Sequence, residues 1–170
     1  VRAIAERCRA GKSPIRGVGI STAGIVDDGG NAVVEAAGHL QSLCNPGLKA
    51  KIEEIFGAPA VLINDADAAL IGAAALRLYP QDGTTVLLAV GTGLGCAVVR
   101  NSHRFRPGRA FPLLGAVETP VGSFDHIAGA VGLARRAGGD LAGLFRHGGE
   151  VRDRYLDELT RVVYSAALLY

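Results

Sequence analysis

The feature that most constrains the fold is an alternation of short apolar segments with helix-like segments in the first half of the chain. The apolar segment GVGIS at 17–21 is followed by the amphipathic segment GLKAKIEEIFG at 47–57. A second apolar segment, PAVLIND at 59–65, leads into the helix-like run ADAALIGAAALRL at 66–78. Apolar strands that alternate with helices form parallel sheets, so we predict an α/β fold with parallel pairing.

The second half has a different pattern, which begins after the linker YPQDG at 79–83. Pro, Asp and Gly occur together in this linker, so we predict a domain boundary there. The segment TTVLLAVGTGLGCAVVR at 84–100 predicts two strands joined by a glycine-rich turn, and a polar loop follows as far as Arg109. After Gly122 the periodicity is helical to the end of the sequence.

The composition excludes several classes of protein. Of the 170 residues, 49% are hydrophobic and 20% are charged, which is not the composition of a disordered chain. No apolar stretch approaches the ~20 residues that span a bilayer, so we expect no membrane segment. The net charge of +2 is spread along the chain, and we expect no nucleic-acid binding through it.

Cysteine usage and the two ends of the sequence add two expectations. The three cysteines, Cys8, Cys44 and Cys96, are far apart, which fits neither a disulfide framework nor a metal knuckle. We therefore expect a reducing, cytoplasmic location. The sequence begins and ends within helix-like segments without capping residues, so we expect it to be the middle of a longer protein.

The first candidate site is Asn64–Asp65, at the carboxyl end of an apolar strand. Ligands bind at that end of the strands in open α/β sheets, and a carboxylate held there can take a proton from a substrate hydroxyl. The alternative is that Asp65 only caps the helix that starts at Ala66. Asp67 is expected to face the helix dipole and to have no catalytic role.

Two glycine-containing loops are further candidates. Gly91, Thr92, Gly93 and Gly95 lie in the turn GTGLG, where backbone N–H groups and a Thr hydroxyl can hold phosphate oxygens. A tight hairpin also needs glycine for its positive φ, so the turn alone leaves both interpretations open. The loop with Ser21, Thr22 and Gly24 follows another strand, and a turn chosen only for its small residues is the alternative there.

In this order, the three segments resemble the ROK family (repressor, open reading frame, kinase) of the actin-like ATPase superfamily. GVGISTAGIVDDGG resembles the family's strand and sugar-side loop, AVLINDADAALIGAA its catalytic Asn-Asp strand and helix, and TTVLLAVGTGLGCAVV its second phosphate loop. The resemblance implies an actin-like ATPase, or ribonuclease H-like, α/β fold that is incomplete at both ends. Residues 1–79 would belong to the small N-terminal domain, with its opening phosphate strands missing, and residues 84–170 to the larger C-terminal domain.

The resemblance also implies roles for individual residues. Asp65 would be the general base and Asn64 would bind the sugar, with Ser21, Thr22 and Gly24 beside it. Gly91, Thr92, Gly93 and Gly95 would hold the phosphates of ATP, which would bind with Mg²⁺. Together these roles are those of a glucokinase-like kinase that acts on a hexose or N-acetylhexosamine, which is the activity that the resemblance implies.

The sequence departs from the family's pattern around residues 108–137. Leu113 and Ala116 stand roughly where the family's sugar-binding Glu and its His belong. No cysteine follows Cys96, so the family's structural zinc is not expected. Asp125, in GSFDH, is predicted to replace an acidic or amide contact to the sugar.

Two alternatives to a kinase therefore stay open. One is a sugar-sensing domain of a ROK-type repressor, and the other is an inactive fragment. The loss of Glu and His favours these alternatives, whereas Asn64–Asp65 and GTGLG favour the kinase. Because the opening strands are missing, we also expect an unpaired sheet edge, poor stability of the segment alone, and a homodimer that covers the edge.

Overall fold

The computed structural model describes residues 1–11, 14–36, 38–101, 103–104 and 111–169. The helices are Arg2–Arg9 (α1), Leu48–Phe56 (α2), Asp65–Ala75 (α3), Phe124–Ala128 (α4), Ala130–Arg136 (α5), Leu141–His147 (α6) and Glu150–Leu169 (α7). The strands are Val18–Thr22 (β1), Ile25–Val26 (β2), Val33–Glu35 (β3), Ala60–Asn64 (β4), Thr84–Val90 (β5), Leu94–Arg100 (β6), His103–Arg104 (β7), Glu118–Thr119 (β8) and Gly122–Ser123 (β9). Short 3₁₀ segments cover Gly38–Leu43 and Phe111–Ala116.

The backbone contacts divide the chain into two compact units, residues 1–68 and 69–170. This division falls within α3, and the domain boundary expected at the linker 79–83 stays a prediction. The Tyr79 hydroxyl donates a hydrogen bond to the carbonyl of Leu70 at 3.3 Å, which ties the linker back to the second half of α3. The assignment of the two halves to the family's small and large domains stays a prediction.

The first unit is built on the predicted parallel strand pair. β1 and β4 run parallel from Val18 opposite Ala60 to Thr22 opposite Asn64. The amphipathic helix α2 contacts both strands and ends at Gly57, whose φ of +66° is the left-handed conformation typical of a helix C-terminus. Both the parallel pairing and the end of α2 confirm the sequence prediction.

The apolar core of the first unit lies under β4. Its buried members are Val26, Val33, Ala36 and Leu62, and Ile20, Leu40, Leu43, Cys44 and Leu48 pack against them. Val61, on the other face of β4, is 51% exposed, and β1 pairs with no second strand among the described residues. The expected poor stability and the homodimer stay predictions.

The second unit is a β-hairpin covered by helices, as the sequence predicted. β5 and β6 pair antiparallel from Thr84 opposite Arg100 to Val90 opposite Leu94. The polar loop after β6 is described only in part, because residues 102 and 105–110 lie outside the described ranges. The short hairpin of β8 and β9 precedes α4 and was not predicted.

The core of the second unit joins the inner face of β6 to the helices. Its buried members are Leu94, Cys96, Val98, Leu114, Ala128 and Val162, and Val86, Leu88, Phe124 and Leu159 pack against them. α4 contacts β6, α5 and α7, so it lies between the hairpin and the long C-terminal helix. Among the helices that the structure describes, even the 20-residue α7 falls short of the apolar length needed to cross a membrane.

Candidate functional site

The predicted sugar-side residues of the first unit lie together at the carboxyl ends of β1 and β4. Thr22 is the register partner of Asn64, because each is the last residue of its strand. Asp65 follows directly as the first residue of α3. We call Ser21–Gly24, Asn64 and Asp65 the carboxyl-end site. The parallel pairing creates this site, because β1 and β4 both end at the same edge of the sheet.

Asn64 is buried and fixes the local geometry. Its Oδ1 accepts hydrogen bonds from the N–H groups of Ala66 at 3.0 Å and Asp67 at 3.3 Å, which is the pattern of a helix N-cap. Its Nδ2 donates to the carbonyl of Gly24 at 3.0 Å. The helix therefore starts one residue earlier than predicted, and Asn64, not Asp65, is its cap.

Asp65 presents an exposed carboxylate at the start of α3. Its Oδ1 accepts the N–H of Ala66 at 2.9 Å. Within the described ranges, no other group donates to this carboxylate and no cation pairs with it. The side chain is thus anchored at one oxygen and open to a substrate at the other, as a general base requires. Its neighbour Asp67 is buried.

The loop of the carboxyl-end site contains one exposed and one buried hydroxyl. Ser21 is exposed, whereas Thr22 is buried and its Oγ1 donates to the carbonyl of Ala23 at 3.2 Å. Gly24 has a φ of +92°, and a Cβ at this position would collide with the carbonyl oxygen of Glu35. The loop can pass close to β3 only because residue 24 is glycine.

The glycine turn of the second unit (residues 91–95) connects β5 to β6. Val90 pairs with Leu94, so residues 91–93 form the connection, and Gly95 lies in β6 opposite Ala89. The N–H of Gly91 donates to the carbonyl of Gly93 at 2.9 Å. Gly91, Thr92, Gly93 and Gly95 thus have different environments, although the sequence predicted one phosphate-binding role for all four.

The carbonyl groups of the glycine turn are held by the start of α5. The N–H of Ala130 donates to Gly91 at 2.8 Å, and that of Val131 donates to Thr92 at 3.3 Å. In a trans peptide the N–H and C=O groups point in opposite directions. The N–H groups of Thr92 and Gly93 therefore point away from α5. No described residue accepts a hydrogen bond from either group, which leaves two adjacent donors for an anion.

Asp125 contacts the glycine turn from α4. Its Oδ1 accepts the N–H of Leu94 at 2.5 Å. Gly93 and Gly115 flank the carboxylate so closely that a Cβ on Gly93 would lie 2.5 Å from Oδ1, and one on Gly115 would lie closer still. The sequence predicted a sugar contact for Asp125, and this stays a prediction. The contact that the structure does contain is with the turn.

Ala116 is exposed at the end of the 3₁₀ segment Phe111–Ala116. Leu113 belongs to the same segment, and its side chain lies outside the described residues. The segment contacts β6 and α4. The part of the chain around the predicted sugar contacts thus packs on the same elements that hold the glycine turn.

Sequence reasoning missed Gly115 and the segment 129–131 as parts of the turn's support. Gly129 lies against the turn, since a Cβ there would stand 2.8 Å from the carbonyl oxygen of Thr92. A glycine before a helix and a glycine in a 3₁₀ segment are common, so neither gave a signal in the sequence. Only the folded chain shows that both are required for close packing.

The comparisons with known proteins agree with this fold. The structure resembles the inorganic polyphosphate/ATP-glucomannokinase from Arthrobacter sp. strain KM with a TM-score of 0.74 and 25% identity, covering 99% of this chain and 61% of that one. It resembles a ROK family glucokinase from Streptomyces griseus, solved with glucose and AMPPNP, with a TM-score of 0.73 and 22% identity over 100% of this chain and 69% of that one. The chain thus has the actin-like ATPase fold of the ROK sugar kinases.

A sequence model described as "ROK family" matches residues 2–111. The chain therefore belongs to the ROK family. No curated protein matches the sequence significantly. A ROK family transcriptional regulator, a homologue of the E. coli MLC protein, is also similar, with a TM-score of 0.60 and 16% identity over 87% of this chain and 39% of that one. The chain spans about three fifths of the glucomannokinase.

Proposed function

We propose that the protein is an ATP-dependent sugar kinase that transfers the γ-phosphoryl group of ATP to a hydroxyl of a hexose or N-acetylhexosamine. The observation that carries the proposal is the exposed carboxylate of Asp65 at the carboxyl end of a parallel strand pair, beside the loop of Ser21 and Gly24. In this role Asp65 takes the proton from the attacking hydroxyl. Asn64 keeps Asp65 in place through the bonds that cap α3, and its amide or Ser21 binds the sugar.

The glycine turn supports the nucleotide part of the proposal. The N–H groups of Thr92 and Gly93 both point away from α5, and such consecutive donors bind phosphate oxygens. Phosphoryl transfer depends mainly on positioning and on stabilisation of charge, so a rigid turn with fixed donors suits it. The glucokinase from Streptomyces griseus, solved with glucose and AMPPNP, has the same fold.

Magnesium would bind together with the nucleotide. Within the described ranges, no three His, Cys, Asp or Glu side chains are grouped so that they can hold a metal ion. Mg²⁺ usually binds through one or two carboxylates together with phosphate oxygens and water, so it does not need such a group of protein ligands. When bound, Mg²⁺ would neutralise phosphate charge, while this chain holds the nucleotide through the glycine turn.

A sugar-sensing role in a ROK-type repressor is the second candidate function. The observation that favours it is Ala116, which offers no polar group at the position that we assign to the family's histidine. Hydrogen bonds to a charged side chain contribute about 1.5–3 kcal/mol each, so loss of the Glu and His contacts would weaken sugar binding about a hundredfold or more. Loss of these contacts therefore favours a domain that binds a sugar without phosphorylating it.

Calorimetric titration and a coupled turnover assay test the two functions. The purified protein is titrated with ATP, glucose, N-acetylglucosamine and N-acetylmannosamine, and ADP formation is followed with each sugar. If the protein is a kinase, ADP forms in the presence of one of the sugars, and calorimetry shows weak binding of that sugar. Binding of a sugar without any ADP formation would favour the regulator. Sugar binding at micromolar strength would show that Leu113 and Ala116 do not occupy the positions proposed for them.

A further inference from the structure

The carboxylate of Asp125 contacts the glycine turn, which we propose binds the nucleotide. Asp125 lies 31 residues after Leu94 in the sequence. Its Oδ1 accepts the N–H of Leu94 at 2.5 Å. Leu94 is buried in the core of the second unit, directly after the connection of β5 to β6. A charge-assisted hydrogen bond to a backbone N–H is among the stronger bonds in a protein. This bond therefore fixes the peptide that ends the glycine turn.

The space around Asp125 is shaped for this carboxylate. Gly93 and Gly115 leave a slot between them, and a Cβ on either residue would collide with the Oδ1 atom. A Cβ on Gly115 would also lie 2.7 Å from the carbonyl oxygen of Leu94. The side chain of Asp125 can reach Leu94 only because both neighbouring positions lack side chains.

Asp125 also belongs to a continuous segment that holds the turn from one side. The carbonyl of Asp125 accepts the N–H of Gly129 at 2.9 Å, which fixes the end of α4. The next two N–H groups, of Ala130 and Val131, bind the carbonyls of Gly91 and Thr92. The segment therefore holds both ends of the turn, with a carboxylate at Leu94 and backbone donors at residues 91 and 92.

We infer that Asp125 is a positioning residue for nucleotide binding, which orients the N–H groups of Thr92 and Gly93 through its bond to Leu94. The inference rests on the proposed kinase function and differs from the predicted sugar contact, because it assigns the effect of Asp125 to the phosphate side. If the bond to Leu94 is lost, only backbone hydrogen bonds hold the peptides of the turn, so the turn becomes less rigid and its two donors are held less firmly toward one anion. Nucleotide affinity then falls while the sugar side is unchanged.

Asp125→Ala is compared with the matched control Asp140→Ala in the purified protein. Asp140 is another aspartate of the second unit whose carboxylate accepts a backbone N–H, that of Gly143 at 2.8 Å, at the start of α6. We expect Asp125→Ala to raise the KM for ATP about tenfold or more, as for loss of one strong contact, and to change the KM for the sugar less than about twofold. Asp140→Ala should leave both values unchanged.

Amide hydrogen exchange of residues 91–95 provides a readout that needs neither nucleotide nor activity. Faster exchange in Asp125→Ala, but not in Asp140→Ala, supports the inference. Asp125→Asn retains an oxygen that can accept from Leu94 and should fall between wild type and Asp125→Ala in both readouts. This variant carries the test if Asp125→Ala does not fold.

The remaining outcomes contradict either the positioning role of Asp125 or the proposed function. An unchanged KM for ATP in Asp125→Ala, or an equal rise in Asp140→Ala, would refute the positioning role. A raised KM for the sugar alone would refute it as well, in favour of the sugar contact. If the wild type binds no nucleotide, the proposed kinase function and the nucleotide role of Asp125 are both wrong. In that case, amide hydrogen exchange of residues 91–95 still shows whether Asp125 orders the turn.

Discussion

The side-chain amide of Asn64 joins Gly24 to the start of α3. Its Nδ2 donates to the carbonyl of Gly24 at 3.0 Å, and its Oδ1 accepts from Ala66 and Asp67. One buried side chain thus holds the loop after β1 against the helix that carries Asp65. The position of the proposed base depends on this residue, even if Asn64 never touches a substrate.

We expect Asn64→Ala to destabilise the protein by about 2–4 kcal/mol. Loss of an N-cap costs about 1 kcal/mol, and the buried groups left without partners add about 1–3 kcal/mol. Asn64→Asp keeps an oxygen for the helix N–H groups but loses the donor to Gly24. Its stability should therefore lie between that of the wild type and that of Asn64→Ala. Urea unfolding measures the free energy of unfolding of both variants. Wild-type stability of Asn64→Ala would contradict the structural role.

Asp65→Asn should abolish turnover and leave sugar binding largely intact. The amide has the shape of the carboxylate but cannot accept the proton, and a general base contributes about 10²–10⁴-fold to the rate. Steady-state kinetics with calorimetry on the same sample separates the two effects. Turnover within about tenfold of the wild type would exclude Asp65 as the base.

Asp67→Asn is the matched control for Asp65. Asp67 lies two residues further along α3 and is buried, whereas Asp65 is exposed. We expect Asp67→Asn to lower the stability and to retain turnover in the folded fraction. If Asp67→Asn instead lost turnover as completely as Asp65→Asn at equal stability, the assignment of the base would have to change.

The longer elements of the fold could be predicted from the sequence because their patterns are local. The apolar run of β4 follows Gly57 and stops at the polar pair Asn64–Asp65. These residues mark its two ends in the sequence. β2 has two residues and pairs with the three-residue β3, and a strand as short as β2 shows no periodicity. Their pairing depends on packing against β4, which a sequence pattern does not contain.

The candidate site was predictable where strand order alone places residues together. Thr22 and Asn64 are neighbours because β1 and β4 are parallel and of equal length. The sequence offered Asp65 as a possible cap of α3, but Asn and Asp cap helices equally well, and only the geometry shows that Asn64 is the cap. The bond from Asp125 to Leu94 joins elements 31 residues apart, so no local pattern indicates it.

Gly24→Ala should destabilise the protein by more than Gly57→Ala. Both glycines have positive φ, +92° and +66°, so both substitutions introduce backbone strain of about 1–2 kcal/mol. A Cβ at Gly57 meets nothing within 4 Å, whereas one at Gly24 collides with Glu35 and stands 3.1 Å from the Cβ of Ala36. We expect an additional loss of about 1–3 kcal/mol at Gly24, as in other overpacked sites. If urea unfolding gives equal losses of stability for Gly24→Ala and Gly57→Ala, β3 shifts to accommodate the added Cβ.

The hydroxyl of Tyr155 is a second buried polar group with a defined partner. It donates to the carbonyl of Ala128 at 3.1 Å and so ties α7 to the end of α4. The ring packs edge-on against Phe145, with centroids 6.1 Å apart. Burial raises the pKa of Tyr155 above its ordinary value of 10.0, and Arg136 acts in the opposite direction. The folded protein therefore favours the neutral hydroxyl.

Tyr155→Phe tests this bond and its pH dependence together. A raised pKa in the folded state stabilises the protein below about pH 10, and this contribution is lost as the pH rises through the folded pKa. We expect Tyr155→Phe to lose about 0.5–1.5 kcal/mol at neutral pH, and its difference from wild type to shrink above pH 10. Tyr164→Phe is the control, since Tyr164 lies on the same helix with 66% of its surface exposed. A difference between Tyr155→Phe and wild type that stayed constant from pH 7 to 11 in urea unfolding would contradict the raised pKa.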